Sequence, residues 1–179
     1  MNILFMCVAN TARSQMAEAL AKNILGEGVT VMSAGIHPAV TVHSGAVAVM
    51  EEIGIDISSA KPKLHGDLPS SFLANLDYVI TVCEQELCPE LTTRKERLRW
   101  SFPDPVLLQG EEQTNAFRSI RDELKQKILD LGRQRQLLAR SPYIIWSKNH
   151  EKSNVRLSSQ FLSFPNGRGL GKNTRRRQD

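Results

Sequence analysis

Hydrophobic and polar positions follow two kinds of pattern along this chain. Short apolar or β-rich runs predict four strands, at residues 2–6, 29–33, 76–82 and 98–101. Between them, apolar residues that recur every three or four positions predict amphipathic helices, at residues 14–25, 41–53 and about 114–140. Strands that alternate with helices favour an α/β sandwich built around a parallel sheet.

Three polar or thiol side chains come directly after predicted strands. Cys7 follows the first strand, Cys83 follows the third, and Asp104 lies in a proline-flanked loop after the fourth. Ligands of parallel α/β sheets bind outside the carboxyl ends of the strands. We therefore expect these three side chains to share one edge of the sheet.

The loop at residues 7–14 joins the first strand to the first helix and has the composition of an anion cradle. Its backbone N–H groups and the helix N-terminus would hold an oxyanion, at Val8, Ala9, Asn10, Thr11, Ala12 and Arg13. Arg13 can add two parallel hydrogen bonds to the oxyanion. A thiol in this setting, Cys7, is predicted to have a lowered pKa and to act as a nucleophile. Ser14 is predicted to cap the helix and to donate its hydroxyl to Cys7, and Asn10 tolerates a left-handed backbone.

Composition divides the 179 residues into two parts. The chain is 41% hydrophobic and 23% charged, which is ordinary for a soluble globular protein. Residues 1–140 carry a net charge of −2, whereas residues 141–179 carry +6. We therefore expect one catalytic domain at 1–140 and a basic, partly disordered appendage at 141–179. Without a basic leader or a membrane-length apolar run, the chain is expected to be cytoplasmic and to bind no membrane.

The appendage contains two short motifs that invite a functional interpretation. The glycine-rich segment 167–172 resembles a phosphate loop, but no predicted strand precedes it and no helix follows it. Three arginines at 175–177 are compatible with nucleic-acid binding, although a disordered solubilising end explains them as well. Nucleic acid is therefore not an expected partner.

The three cysteines of the chain favour thiol chemistry over structural disulfides in a reducing compartment. Cys83 and Cys88 lie five positions apart on the segment predicted at the active edge, and such a pair can form a redox relay. An inert buried cysteine and a zinc site are the alternatives. Zinc is disfavoured because the four histidines show no ligand spacing, so no metal ligands are predicted. Asp104 is either a general acid or a turn residue, and its loop position favours the acid.

Taken together, these motifs resemble a known family. The pattern Cys7-x-x-Asn10-x-x-Arg13-Ser14 is similar to the signature of the low-molecular-weight protein tyrosine phosphatase superfamily, and the continuation Gln15-Met16-Ala17-Glu18 resembles its thioredoxin-coupled arsenate reductase branch. The resemblance covers roughly residues 1–133. It implies a three-layer sandwich with a central, mostly four-stranded parallel sheet.

The resemblance also implies a reaction sequence. Cys7 attacks arsenate held by Arg13 and the loop amides, with Asp104 protonating the leaving oxygen. Cys83 then attacks Cys7 and releases arsenite, and Cys88 attacks Cys83. Thioredoxin reduces the final disulfide, so no metal or organic cofactor is required. The expected partners are therefore an arsenate or phosphate oxyanion and thioredoxin. The enzyme is also expected to retain residual phosphatase activity.

This sequence departs from the family pattern at several positions. Ala9 replaces a glycine, Ala12 replaces a cysteine of many members, and Val106 stands where phosphatases commonly carry a tyrosine that flanks the substrate ring. Some reductases bind potassium behind the cradle, and of those ligands only Asn10, Glu18 and Ser33 are matched here. Lys61 and Lys63 occupy the other two positions, which suggests that one ammonium replaces the ion; two solvated loop lysines are the alternative.

Three functions remain open from the sequence. The first is a thioredoxin-dependent arsenate reductase, an oxidoreductase of arsenic resistance. The second is a protein tyrosine phosphatase that hydrolyses phosphotyrosine through a Cys7 phosphoenzyme, its extra cysteines protecting Cys7 by reversible disulfide formation. The third is a non-enzymatic oxyanion-binding or redox-sensing protein, against which the complete set of Cys7, Arg13, Ser14 and Asp104 argues.

Overall fold

A four-stranded, all-parallel sheet forms the centre of the computed structural model, which describes residues 1–84 and 96–139. The strands lie in the order β2-β1-β3-β4, with bounds β1 Asn2–Cys7, β2 Thr30–Gly35, β3 Tyr78–Thr81 and β4 Glu96–Arg99. Both neighbours of β1 pair with it in parallel. The predicted α/β fold with a mostly four-stranded parallel sheet is confirmed.

Helices cover both faces of this sheet. They are α1 Arg13–Ile24, α2 Ser44–Glu51, α3 Ser70–Ala74 and α4 Gly110–Gln134, with short 3₁₀ turns at His65–Asp67 and Pro105–Leu107. Along β1, Ile3 and Phe5 pack into the cluster that contains residues of α1, α2 and α4, whereas Leu4 and Met6 pack toward Phe72 of α3. Alternate residues of a strand face opposite sides of its sheet, so these two clusters give the three predicted layers.

The order of the strands determines where a ligand can bind. From β1 the chain moves to β2 on one side and then to β3 on the other side of β1. At such a switch point the loops that leave neighbouring strands separate and open a crevice at the carboxyl edge. Cys7 ends β1 and Cys83 follows β3, so the switch point lies between the two thiols.

The longest predicted helix has different bounds in the structure. It begins four residues earlier than predicted, at Gly110, and ends at Gln134 instead of continuing to residue 140. Gln136 adopts a positive φ of 57°, which turns the chain back on itself. Leu138 then pairs with Leu25 beyond the end of α1. The apolar residues near 137 therefore pack against another element, although they fit a helical continuation.

The sequence pattern gave no signal for α3, and β4 lies two residues earlier than predicted. The described helices include none that is both long and apolar enough to cross a bilayer. The proposed division at residue 140 stays a prediction, because residues 140–179 lie outside the described part of the chain.

Candidate active site

The carboxyl edge of the sheet contains a cavity of about 220 Å³ whose walls carry most of the predicted site residues. It is lined by Cys7, Val8, Ala9, Thr11, Ala12, Arg13, Cys83, Glu84, Asp104 and Leu107. The structure therefore brings both described thiols, the arginine and the aspartate to one place. Cys88 lies outside the described residues.

Asn10 has a different position from its neighbours in the loop. It is completely buried, adopts a positive φ of 47°, and is not among the residues that line the cavity. Its backbone N–H donates to Cys7 Sγ over 3.1 Å. The left-handed conformation predicted for Asn10 is therefore present, and it turns the loop tightly around the sulfur.

Gly35, the last residue of β2, allows the cradle to lie directly against the sheet. An added Cβ at Gly35 would stand 2.6 Å from the Val8 carbonyl oxygen and 3.0 Å from the Asn10 nitrogen. Real Cβ atoms do not approach backbone atoms so closely, so a side chain here would push the loop away.

Gly35→Ala is accordingly expected to weaken phosphate binding about tenfold and to destabilise the fold by about 1–3 kcal/mol, as overpacking commonly does. Gly28→Ala is the matched control, because nothing lies within 4 Å of a Cβ built at Gly28. Isothermal titration with inorganic phosphate and thermal melting measure the two effects. Equal phosphate affinity in the two variants would contradict the proposed close packing.

A chain of buried hydrogen bonds runs from the cysteine to a carboxylate behind the cradle. Ser14 Oγ lies 2.8 Å from Cys7 Sγ, and the Asn10 amide donates to Ser14 Oγ over 2.8 Å and to Ser33 Oγ over 2.9 Å. Ser33 donates in turn to Glu18. Each of these residues is at most 8% exposed.

The direction of these hydrogen bonds follows from the donors and acceptors available. The Asn10 Oδ1 accepts from the Lys63 backbone N–H and from Gln15 Nε2, which leaves the amide nitrogen to donate toward the serines. Ser14 therefore accepts from Asn10, and its own proton is available to Cys7 Sγ. This agrees with the hydroxyl donation predicted for Ser14 and favours the thiolate. The predicted helix-capping role of Ser14 is wrong, because α1 begins at Arg13 and Ala12 occupies the N-cap position without a side-chain cap.

The predicted lowering of the Cys7 pKa is nevertheless wrong for the described structure. Burial raises the pKa of the Cys7 thiol, since Cys7 is only 3% exposed. The hydrogen bonds from Ser14 and Asn10 and the charge of Arg13 act in the opposite direction but do not prevail. The sequence showed the stabilising groups, but the extent of burial depends on the packed loop.

The rate of Cys7 alkylation should therefore rise with pH to a midpoint above that of an ordinary thiol, about 8.5. Ser14→Ala should move this midpoint further upward, because the hydroxyl no longer donates a hydrogen bond to the thiolate. Iodoacetamide labelling followed by mass spectrometry, with Cys83 and Cys88 replaced by serine, gives the profile. A midpoint below 8.5 would mean that the donors outweigh burial.

Arg13 is held by the loop that carries Asp104. Its Nη2 donates to Asp104 Oδ2 over 2.7 Å, and its Nη1 donates to the carbonyl of Phe102 over 2.8 Å. Two of the five N–H donors of the guanidinium are used in this way, so three remain for an oxyanion. The pairing with Asp104 joins residues 91 positions apart and was not predicted.

Glu18 lies behind the cradle between two lysines. Lys63 Nζ lies 3.4 Å from Glu18 Oε2, and Lys22 pairs with the other oxygen. Burial alone would raise the pKa of Glu18, but hydrogen bonds from Lys22 and Ser33 and the charge of Lys63 together lower it. Of the two lysines suggested as replacements for an ion, Lys63 is the one that pairs with Glu18. Lys61 contributes its backbone carbonyl to Gln15.

Two residues of the cavity wall, Glu84 and Leu107, were not predicted as site residues. Glu84 directly follows Cys83, so its position after a strand was the available signal. No feature of the sequence indicated that Leu107, three residues beyond Asp104, would line the cavity.

Comparisons with known proteins agree with this geometry. Residues 2–140 match the family described as low molecular weight phosphotyrosine protein phosphatase. An arsenate reductase from Halalkalibacterium halodurans is 41% identical over 130 residues, which cover 70% of this chain and 91% of that protein.

Solved structures give the same result. An arsenate reductase in a phosphate binding state superimposes with a TM-score of 0.61 at 34% identity, over 73% of this chain and 95% of that one. A thioredoxin-dependent arsenate reductase from Corynebacterium glutamicum gives 0.58 at 34% identity, over 75% of this chain and 61% of that one. The chain therefore belongs to the low molecular weight phosphotyrosine protein phosphatase family, among the members named arsenate reductases.

Proposed function

We propose that this protein is an enzyme that reduces arsenate to arsenite, with Cys7 as nucleophile and Cys83 and Cys88 as a thiol relay. The observation that supports the proposal is the cavity. Two thiols, Cys7 and Cys83, line it together with Arg13 and Asp104. Hydrolysis of a phosphate ester needs one thiol, whereas reduction of arsenate needs two electrons, which two thiols supply on forming a disulfide.

In the first step the Cys7 thiolate attacks arsenate at arsenic. An arsenic–sulfur bond forms, and one arsenate oxygen leaves as water after taking up a proton. Arg13 and the amides of the loop hold the remaining oxygens. Asp104 first takes up a proton from solvent and then passes it to the leaving oxygen. Arsenic remains pentavalent in this step.

In the second step the Cys83 sulfur attacks Cys7 Sγ. A Cys7–Cys83 disulfide forms while the arsenic–sulfur bond breaks, and its electron pair stays on arsenic. Arsenic is thereby reduced to the trivalent state and leaves as arsenite, which retains the proton released from Cys83. The two sulfurs are oxidised by two electrons in total, so the step balances without a cofactor.

The third step returns the enzyme to its thiol form. Cys88 attacks Cys83, which releases Cys7 as a thiol and leaves a Cys83–Cys88 disulfide. A thioredoxin then reduces this bond and is itself oxidised. The thioredoxin dependence of the Corynebacterium glutamicum enzyme supports this donor. The electrons reach arsenate through sulfur alone, so we propose that no metal or organic cofactor is needed.

The lysine behind the cradle leads to an expectation about cations. Because Lys63 already pairs with Glu18, potassium should change neither the melting temperature nor the turnover rate at constant ionic strength. Lys63→Gln should lower the melting temperature by about 2–4 °C, which corresponds to ~1 kcal/mol for a chain of this size. Lys61→Gln is the control. A potassium-dependent rate or melting temperature of the wild type would contradict the hypothesis that the Lys63 ammonium replaces a potassium ion.

A phosphatase acting on phosphotyrosine is the second candidate, because Cys7, Arg13 and Asp104 would equally serve a phosphoenzyme. The position after Asp104-Pro105 disfavours it: Val106 is partly exposed and offers no aromatic ring to a substrate. Residual phosphatase activity is compatible with the first candidate, whereas a second thiol in the cavity has no part in phosphate hydrolysis.

One coupled assay separates the two candidates. NADPH consumption is followed with arsenate, thioredoxin and thioredoxin reductase, and hydrolysis of an aryl phosphate is measured with the same protein. The proposal predicts arsenate-dependent NADPH consumption together with slow hydrolysis. Rapid hydrolysis of the aryl phosphate without any turnover of arsenate would establish the phosphatase instead.

A further inference from the structure

Exposed large hydrophobic side chains are concentrated around the mouth of the active-site cavity. In the part of the chain that the structure describes, four such residues are exposed: Met1, Val40, Val106 and Leu107. Met1 is the chain terminus and lies at the opposite edge of the sheet, where β1 begins. The other three belong to two loops next to the cavity.

Val106 and Leu107 follow the candidate acid, Asp104, by two and three positions. They belong to the 3₁₀ turn Pro105–Leu107, which the Asp104 side chain caps by accepting the Val106 N–H. Leu107 lines the cavity and is nevertheless 82% exposed. Its side chain therefore stands at the outer border of the cavity and contributes little to the protein core.

Val40 lies beside the wall formed by the cradle. It is 96% exposed, in the loop between β2 and α2. Backbone hydrogen bonds hold this loop against the cradle, from the Ala39 N–H to the Ala9 carbonyl over 2.9 Å and from the His43 N–H to the Thr11 carbonyl over 2.8 Å. The side chain of Thr11 also donates to the Thr41 carbonyl. Val40 is therefore fixed close to Ala9 and Thr11, which line the cavity.

A small oxyanion does not need these side chains. It binds to the amides and the guanidinium inside the cavity, where an apolar border adds no contact. An apolar border becomes useful when a larger body covers the mouth, because burying apolar surface is worth about 25 cal/mol per Å². A contiguous exposed apolar patch that polar residues surround is typical of a protein interaction site.

The chemistry of the site indicates which body this is. Cys83 is 3% exposed and lines the cavity, so a protein that reduces a disulfide of Cys83 must bring its own sulfur to this edge of the sheet. The surface around that sulfur then covers the mouth. We propose that Val40, Val106 and Leu107, here called the apolar rim, form the docking surface for thioredoxin; the inference rests on the proposed arsenate reductase function.

The electron transfer at this interface balances between the two proteins. One thiolate of thioredoxin attacks the Cys83–Cys88 disulfide and forms a mixed disulfide. The second thiol of thioredoxin attacks that bond and releases the reduced enzyme. Thioredoxin loses two electrons, and the two cysteines gain them. The apolar rim acts by holding the partner in place while the sulfurs exchange.

The test compares thioredoxin with dithiothreitol as the reductant. Val40→Ser should raise the KM for thioredoxin about five- to tenfold, in the range common for truncated interface contacts, while turnover supported by dithiothreitol stays unchanged. Leu107 also borders the substrate, so for Leu107→Ser the two reductants are compared as a ratio. The kcat/KM measured with thioredoxin, divided by the kcat/KM measured with dithiothreitol, should fall to a similar extent. Ala74→Ser is the control, since Ala74 is exposed on α3 at the other edge of the sheet.

The outcomes separate the docking surface from the proposed function. If Val40→Ser and Leu107→Ser keep the wild-type KM for thioredoxin and the wild-type ratio, the docking surface is refuted. If they raise only the KM for an aryl phosphate, the apolar rim contacts an organic substrate, and the inference is again wrong. If the wild type turns over arsenate with dithiothreitol but not with thioredoxin, the proposed donor fails, and the docking surface fails with it.

Discussion

Cys83→Ser is expected to lower steady-state arsenate reduction by about 10³-fold or more, because removing a reacting nucleophile has effects of this size or larger in other enzymes. Cys83 lies in the cavity with Cys7, so it is the thiol placed to release arsenic from the Cys7 sulfur. Without it the Cys7–arsenic bond still forms, but no second sulfur displaces arsenite. Hydrolysis of an aryl phosphate, which depends on Cys7, Arg13 and Asp104, should remain.

Cys88→Ser provides the matched comparison. This variant retains Cys83 and should therefore release one equivalent of arsenite per enzyme in a single turnover, and then stop with Cys7 and Cys83 joined. Cys83→Ser should release none. Arsenite is measured in a quenched single-turnover experiment, and the disulfide by mass spectrometry after alkylation. Steady turnover of arsenate by both variants at the wild-type rate would refute the relay.

Arg13→Lys is expected to reduce kcat/KM for arsenate by about 10²–10³-fold, a loss comparable to removing an oxyanion-stabilising donor elsewhere. The guanidinium contacts the Phe102 carbonyl and the Asp104 carboxylate at once and keeps further N–H donors for the substrate. A lysine ammonium is a compact charge without this planar arrangement, so it cannot serve all three partners. The loss should therefore include weaker oxyanion binding and a misplaced Asp104.

Arg118→Lys controls for a general effect of the substitution, since Arg118 forms an exposed ion pair with Glu52 on another part of the surface. Arsenate kinetics, inorganic phosphate affinity and circular dichroism should be compared between the two variants. Arg13→Lys with a normal spectrum and wild-type kcat/KM would show that the arginine is not the oxyanion ligand.

The alternation of strands with helices and the content of the cradle could be predicted because both depend on local sequence. An apolar run such as 2–6 followed by a small-residue turn and an amphipathic helix is a βα unit wherever it occurs, and successive units of this kind make a parallel sheet. Parallel strands in turn place their following residues at one edge. The common location of Cys7, Cys83 and Asp104 was therefore predictable.

Two elements were not predicted correctly. In one, tertiary contacts override the local sequence pattern, and the other is too short to show a pattern. Helix α4 ends at Gln134 because the chain turns at Gln136 and Leu138 packs beside Leu25. Helical periodicity alone does not reveal that alternative. The five-residue helix α3 is too short to show a periodic signal.

From its sequence, this protein is an α/β chain with a thiol and a guanidinium in an anion-binding turn and with a further pair of thiols. Its tertiary structure determines how those groups behave. Burial reverses the expected direction of the Cys7 pKa shift, Asp104 pairs with Arg13 across 91 positions, and Lys63 rather than Lys61 reaches Glu18. Motifs are local, whereas desolvation and long-range pairing depend on which distant segments the folded backbone brings together.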